Sequence, residues 1–196
     1  GWKSVDEQRA TQGAISIGGG MRITADEVAS VPFLPGGIWF FLACYGGGTP
    51  AESAYYHWLA RLRDSGGFSG RVDGVLAGLP KAGDRPFIAA LPQAAIANPD
   101  GPLAIMAHID LAWTYSFQDM GSDGQNRPSR FLGIFRSLCA GARAGTSYHQ
   151  LLRFLSETSV ELTAMYDDEA RGETLGRPIP ADAARVKNKA NLWMLR

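Results

Sequence analysis

Cysteine is scarce in this chain of 196 residues, with two, Cys44 and Cys139. Two cysteines in a chain this long do not form a disulfide scaffold, and reduced thiols in a cytoplasmic setting are the expectation. Histidine is nearly as scarce, with three, His57, His108 and His149. Cysteines and histidines together lack zinc-site spacing, so neither a metal nor a cofactor is expected. Charge of one sign is not in excess: Lys+Arg and Asp+Glu each number 19. That balance gives no electrostatic case for nucleic acid or for an anionic membrane surface. No apolar run approaches the roughly 20 residues that cross a bilayer. The longest, Ile38 to Cys44, has the length of a strand. The first residues are neither basic nor apolar, unlike a secretory signal. No G-x-S-x-G elbow is present. Gly18-Gly19-Gly20 lacks the following Lys-Ser/Thr of a phosphate loop, and no G-x-G-x-x-G opens a helix after a good strand.

What is present is a hydrophobic share of 45%, enough for a core. Gly1 to Gly13 is polar and reads as a loop. Ala14 to Ile17 is a short strand closed by the glycine turn. Thr24-Ala25-Asp26-Glu27 has the form of a capping box and opens a short helix, ended by Pro32 and Pro35. Ile38 to Ala43 is continuous and apolar between glycines, the pattern of a fully buried parallel strand. Thr49-Pro50-Ala51-Glu52 is a second capping box, with a helix expected to Arg63. Val72 to Leu79 reads as a strand, Phe87 to Ala97 as a helix, and Pro99 to Pro102 as a turn. Leu103 to Ile109 reads as a second buried strand. Arg130 to Ala144 and Tyr148 to Met165 have helical periodicity. The acidic run Asp167-Asp168-Glu169 reads as a solvated helix end, and a last helix starts near Ala181. Strands alternating with helices predict one three-layer α/β domain over residues 1–196, with a mostly parallel sheet.

In such a sheet, ligands sit beyond the carboxyl ends of the strands, and Cys44 falls there. Three glycines follow it, so the backbone can turn tightly, and amides of Tyr45, Gly46 and Gly47 are candidates for an oxyanion hole. A helix starting near Pro50 would set its positive end near the thiol and favour the thiolate. The competing reading is that Cys44 is a small buried apolar residue. A cysteine nucleophile needs a base within hydrogen-bond reach. His57 and His149 lie on helices. His108 ends the second strand, with Asp110 two residues on, and is either the base or a strand-end histidine held by a backbone partner or by Asp110. Trp113, Tyr115 and Phe117 either wall a substrate pocket or pack in the core. Asp119 and Asp123 either recognise a basic side chain or belong to a solvated loop.

The segment Trp39-Phe40-Phe41-Leu42-Ala43-Cys44, followed by a small-residue turn, resembles the nucleophile strand of the caspase-like cysteine peptidases. The order Ile23-Thr24-Ala25-Asp26-Glu27-Val28, then Leu42-Ala43-Cys44, is similar to the bacterial CHAT and gingipain-like branch. There a hairpin and an L-T-A-x-x-L/V helix precede a strand ending in Ala-Cys. Gly101-Pro102-Leu103-Ala104-Ile105-Met106-Ala107-His108 resembles that branch's next strand. The resemblance spans about residues 14 to 117. It implies a three-layer α/β/α caspase-like fold, with the family's N-terminal strands ahead of Gly1, and peptide-bond hydrolysis by a Cys-His dyad. Cys44 matches the nucleophile. The family's base is a His-Gly upstream of the nucleophile, and no histidine precedes His57, so the resemblance places the base before Gly1. His108 does not match that position. The implied partners are a peptide or protein substrate and a regulatory protein or second copy of the chain. A catalytically inactive interaction module of the same fold is the alternative. A third reading is an unrelated α/β ligand-binding domain in which Cys44 is structural.

Overall fold

The computed structural model describes residues 10–67, 71–112 and 129–194. The chain divides into two compact units, residues 1–56 with 74–112 and residues 57–73 with 113–196.

The first unit is mixed α/β. β1 (Ile15–Gly18) and β2 (Met21–Ile23) pair antiparallel across the glycine turn. α1 (Ala25–Ser30) begins at the expected capping box: the Thr24 amide donates to Glu27 Oε2 at 2.7 Å. It stops at Val31, whose extended backbone is what the following Pro32 imposes. Its last carbonyls are closed from a distance, because Asn98 Nδ2 donates to Val28 O at 2.6 Å and to Val31 O at 2.7 Å. β3 (Ile38–Phe41) and β6 (Ala104–Ala107) pair in parallel, with Ile38 opposite Ala104 and Phe41 opposite Ala107. β4 (Gly48–Thr49) and β5 (Phe87–Ile88) form a small antiparallel pair. α4 (Ala90–Ala97) packs on α1 and beside β6. The core joins Val28, Trp39, Leu91 and Ala95, with Ile15, Ile23, Phe33, Phe41 and Ile105 against it. Trp39 stacks on Phe41 with ring centroids 4.7 Å apart and meets Phe33 edge-on. Parallel pairing among the described residues is confined to β3 and β6. These strands are half-buried rather than fully buried, and Leu103 just before β6 is 76% exposed.

Three sequence expectations need correction. The segment read as a strand over Val72 to Leu79 contains a helix, α3 (Val72–Ala77), of which Gly74–Ala77 belong to this unit. Val72 and Leu76 are its buried residues, one helical turn apart, and Leu79 is buried just beyond its end, a spacing that two glycines obscured. The helix expected from Phe87 starts at Ala90, after β5. Pro92 then falls in the first helical turn, where its missing N–H costs no intrahelical bond. The helix expected from Pro50 starts only at Tyr56, because Gly48 and Thr49 are taken by β4.

In the second unit the regular elements among the described residues are helices. α2 (Tyr56–Asp64) buries Trp58, Leu59 and Leu62. α5 (Ser129–Cys139) packs on α6 (Ala144–Thr174), and α6 on α7 (Ala183–Met194). Ser147 Oγ donates to Ser137 Oγ at 2.9 Å across the first pair. α6 ends in a Schellman arrangement, with Gly176 at φ 67° and the Arg177 amide donating to Gly172 O at 2.8 Å. Glu169 is not at a solvated helix end. It sits within α6 and accepts from Arg185 Nε at 2.6 Å and from Lys189 Nζ at 2.8 Å. No described helix is long and apolar enough to cross a membrane.

Candidate functional site

The parallel pairing of β3 with β6 sends both strands off the same edge of the sheet, followed by Cys44 on one and His108 on the other. Beyond Cys44 the chain turns back at once. Tyr45 adopts φ 57°, a left-handed conformation that costs a bulky residue about 1–2 kcal/mol. Its side chain is buried at 4% exposure. The Tyr45 amide donates to Asp110 O at 2.8 Å, and the Gly47 amide to His108 O at 2.6 Å. Gly46 and Gly48 donate to Ala43 O and Tyr45 O. The turn therefore lies flat against the chain leaving β6. Glycine is required there: a Cβ on Gly47 would stand 2.9 Å from Ala107 Cβ, and one on Gly48 would stand 2.6 Å from Phe87 O.

These bonds change the expected oxyanion hole. The amides of Tyr45, Gly46 and Gly47 are all engaged, Gly46 within the turn and Tyr45 and Gly47 on the chain leaving β6. Among the described residues, the Cys44 amide is the one in this run that no hydrogen bond engages. The thiol is free and exposed, while Tyr45 and Gly46 beside it are buried. Its Sγ lies 3.4 Å from the Ala112 amide, which donates to it, and 3.5 Å from Ala112 O. The helix terminus expected to act on the thiol is not there, since the residues after Thr49 run through turns up to Tyr56.

Cys44 opens on a cavity of about 600 Å³ within the first unit. Gln12, Ser16 and Arg22 form part of its wall, with Val75 and Leu79 supplying apolar surface. Sequence reasoning missed these polar residues, because Gln12 sits in a stretch that reads as loop. For Ser16 and Arg22 a signal exists: they alternate with Ile15 and Ile23 on the hairpin, and the isoleucines take the core face. Gln12 is 6% exposed, and its Nε2 donates to Tyr45 O at 2.6 Å.

Asp110 and His108 do not line this cavity. The Asp110 carboxylate accepts from Ser53 Oγ at 3.0 Å and from the amides of Ala54 at 2.9 Å and Leu111 at 2.8 Å. It thus fastens the 53–54 loop rather than facing substrate, and it makes no hydrogen bond to His108. Burial pushes its carboxyl above the usual range, ahead of the three hydrogen bonds that pull it down. Burial and the Asp110 charge push Tyr55 up to about 12, and raise Tyr45 further. Burial lowers the His108 imidazole, against the pull of Asp110. No hydrogen bond engages that imidazole among the described residues. His57 lies in the first turn of α2 against Trp58, and His149 lies within α6, both in the other unit. Trp113, Tyr115, Phe117, Asp119 and Asp123 lie outside the described residues. Among the described residues no group of His, Cys, Asp and Glu is arranged to hold a metal. Comparison with protein-family models, with curated proteins and with solved structures finds no match to this chain.

Proposed function

We propose that this chain is a caspase-like cysteine peptidase domain of the bacterial CHAT and gingipain-like type, built on a three-layer α/β/α fold, with Cys44 as nucleophile. The observation that carries the reading is an exposed thiol at the wall of a cavity, just past the carboxyl end of a strand in a parallel pair. The thiolate attacks the scissile carbonyl, forming a tetrahedral adduct. The Cys44 amide donates to the oxyanion. The imidazole that takes the Cys44 proton becomes an imidazolium and gives that proton to the leaving amine. Water, deprotonated by the same imidazole, then displaces the thiolate and releases the acyl group as an acid. His108 is the one histidine in the unit that carries Cys44, and its depressed basicity supplies a neutral imidazole near pH 7. The setting is a cytoplasmic regulatory or defence protease acting on protein substrates.

An inactive interaction module of the same fold is favoured by one observation, that the amides of Tyr45 to Gly48 are all engaged. The two readings separate in a digest of a peptide library by the full chain. The peptidase reading expects cleavage that falls at least about a thousandfold in Cys44→Ala and persists in Cys139→Ala. Cleavage surviving in Cys44→Ala overturns the nucleophile assignment. No cleavage, together with equal iodoacetamide labelling of Cys44 and Cys139, decides for the interaction module.

A further inference from the structure

Among the described residues, the wall of the Cys44 cavity carries one charge, and it is positive. Arg22 and Ser16 stand opposite each other in the hairpin register and both line the cavity. No Asp or Glu is among its described lining residues. Among the described residues the Arg22 guanidinium has no carboxylate partner and no hydrogen bond. A second observation points to a ligand independently. Gln12 Oε1 is buried and has no hydrogen-bond partner among the described residues, although Nε2 of the same amide is satisfied by Tyr45 O. A buried carbonyl left without a donor bears an uncompensated desolvation cost, so a ligand N–H delivered to it gains that interaction.

We propose that the cavity beside Cys44 binds a carboxylate-bearing peptide segment: an acidic side chain is held by Arg22 and Ser16, and a peptide N–H donates to Gln12 Oε1. This deepens the peptidase reading by naming its substrate class. It departs from a preference for basic side chains, which a guanidinium in the cavity wall would repel. Guanidinium binds carboxylate through two parallel N–H donors, with Ser16 as a further hydroxyl donor.

The test uses the thiol as reporter and does not need peptide hydrolysis. Iodoacetate and iodoacetamide alkylate a thiolate by the same displacement of iodide, and they differ in the negative charge of iodoacetate. Measured at one pH, their rate ratio at a given cysteine cancels the thiolate fraction. Exposed Cys139 is the internal reference. At low ionic strength the iodoacetate to iodoacetamide ratio is expected to be about threefold or more higher at Cys44 than at Cys139, and to fall with added salt. Arg22→Gln brings the Cys44 ratio to that of Cys139, and Arg22→Lys keeps most of the preference. Equal ratios at the two cysteines, or a Cys44 ratio unchanged in Arg22→Gln, overturn the proposal. An inert chain with a high, Arg22-dependent ratio keeps the carboxylate site and removes the peptidase reading. An active chain with a flat ratio does the reverse.

Discussion

The Gly47 amide donates to the carbonyl of His108 at 2.6 Å, and this bond ties the turn that carries Cys44 to the chain leaving β6. The contact is possible because residue 47 has no side chain. An added methyl would stand 2.9 Å from Ala107 Cβ and 3.1 Å from His108 O. Both obstacles belong to the end of a paired strand, so neither moves cheaply.

Gly47→Ala is therefore expected to destabilise the chain by about 2 kcal/mol. It should also change the alkylation rate of Cys44 while leaving that of Cys139 untouched. Gly145→Ala is the control, since a Cβ there meets nothing within 4 Å; it should stay within about 0.5 kcal/mol of the parent. Urea denaturation with thiol mapping reads both. Equal stability of the two variants would show that the turn is not clamped against β6.

Local signals made the first strand with its glycine turn, the first capping box and the two strands leading to Cys44 and His108 legible; the returning strand Met21–Ile23 was not. Thr24 and Glu27 lie three residues apart in sequence and meet in the structure. Thr49 and Glu52 carry the same spacing, yet no box forms, because Thr49 pairs with Phe87, far along the chain. Ser53 and the Ala54 amide then go to Asp110 instead of a first helical turn. A short motif cannot reveal which of two long-range partners claims its donors. The cavity was hidden for the same reason, since Gln12 becomes part of a site only through its bond to Tyr45 O.

Asp110→Asn tests whether this carboxylate holds the loop rather than a substrate. Asn keeps an acceptor at Oδ1 for Ser53 and Leu111, but sets an N–H against the Ala54 amide. The expected loss is about 2 kcal/mol. The pH dependence has a definite sign. The folded-state carboxyl titrates above its ordinary value of 3.8. Between that value and the folded one, the folded state holds more protons, so stability falls as pH rises. Asn cannot ionise at this position. The gap between parent and variant should therefore be wider at pH 3 than at pH 7, as read by paired urea curves. A gap that widens toward neutral pH would mean that Asp110 is stabilised as the anion.

Glu169→Gln makes the opposite prediction in the other unit. Lys189 is 4% exposed and has Glu169 as its carboxylate partner, with Tyr166 under its ammonium at 5.0 Å. Removing the anion leaves a buried cation uncompensated, at a cost of about 3 kcal/mol. Burial alone would raise the Glu169 carboxyl, but hydrogen bonds from Lys189 and Arg185 hold it below its ordinary 4.5. Here the unfolded state binds the proton more readily, so the contribution is complete above 4.5 and fades as pH falls through the folded value. The parent should lead the variant fully at pH 7 and lose that lead toward pH 3. Lys189→Met should recover much of the loss when combined with Glu169→Leu, because an apolar pair of similar volume leaves no charge to neutralise. If Glu169→Gln alone matches the parent at pH 7, the pair belongs with exposed ion pairs, which contribute little.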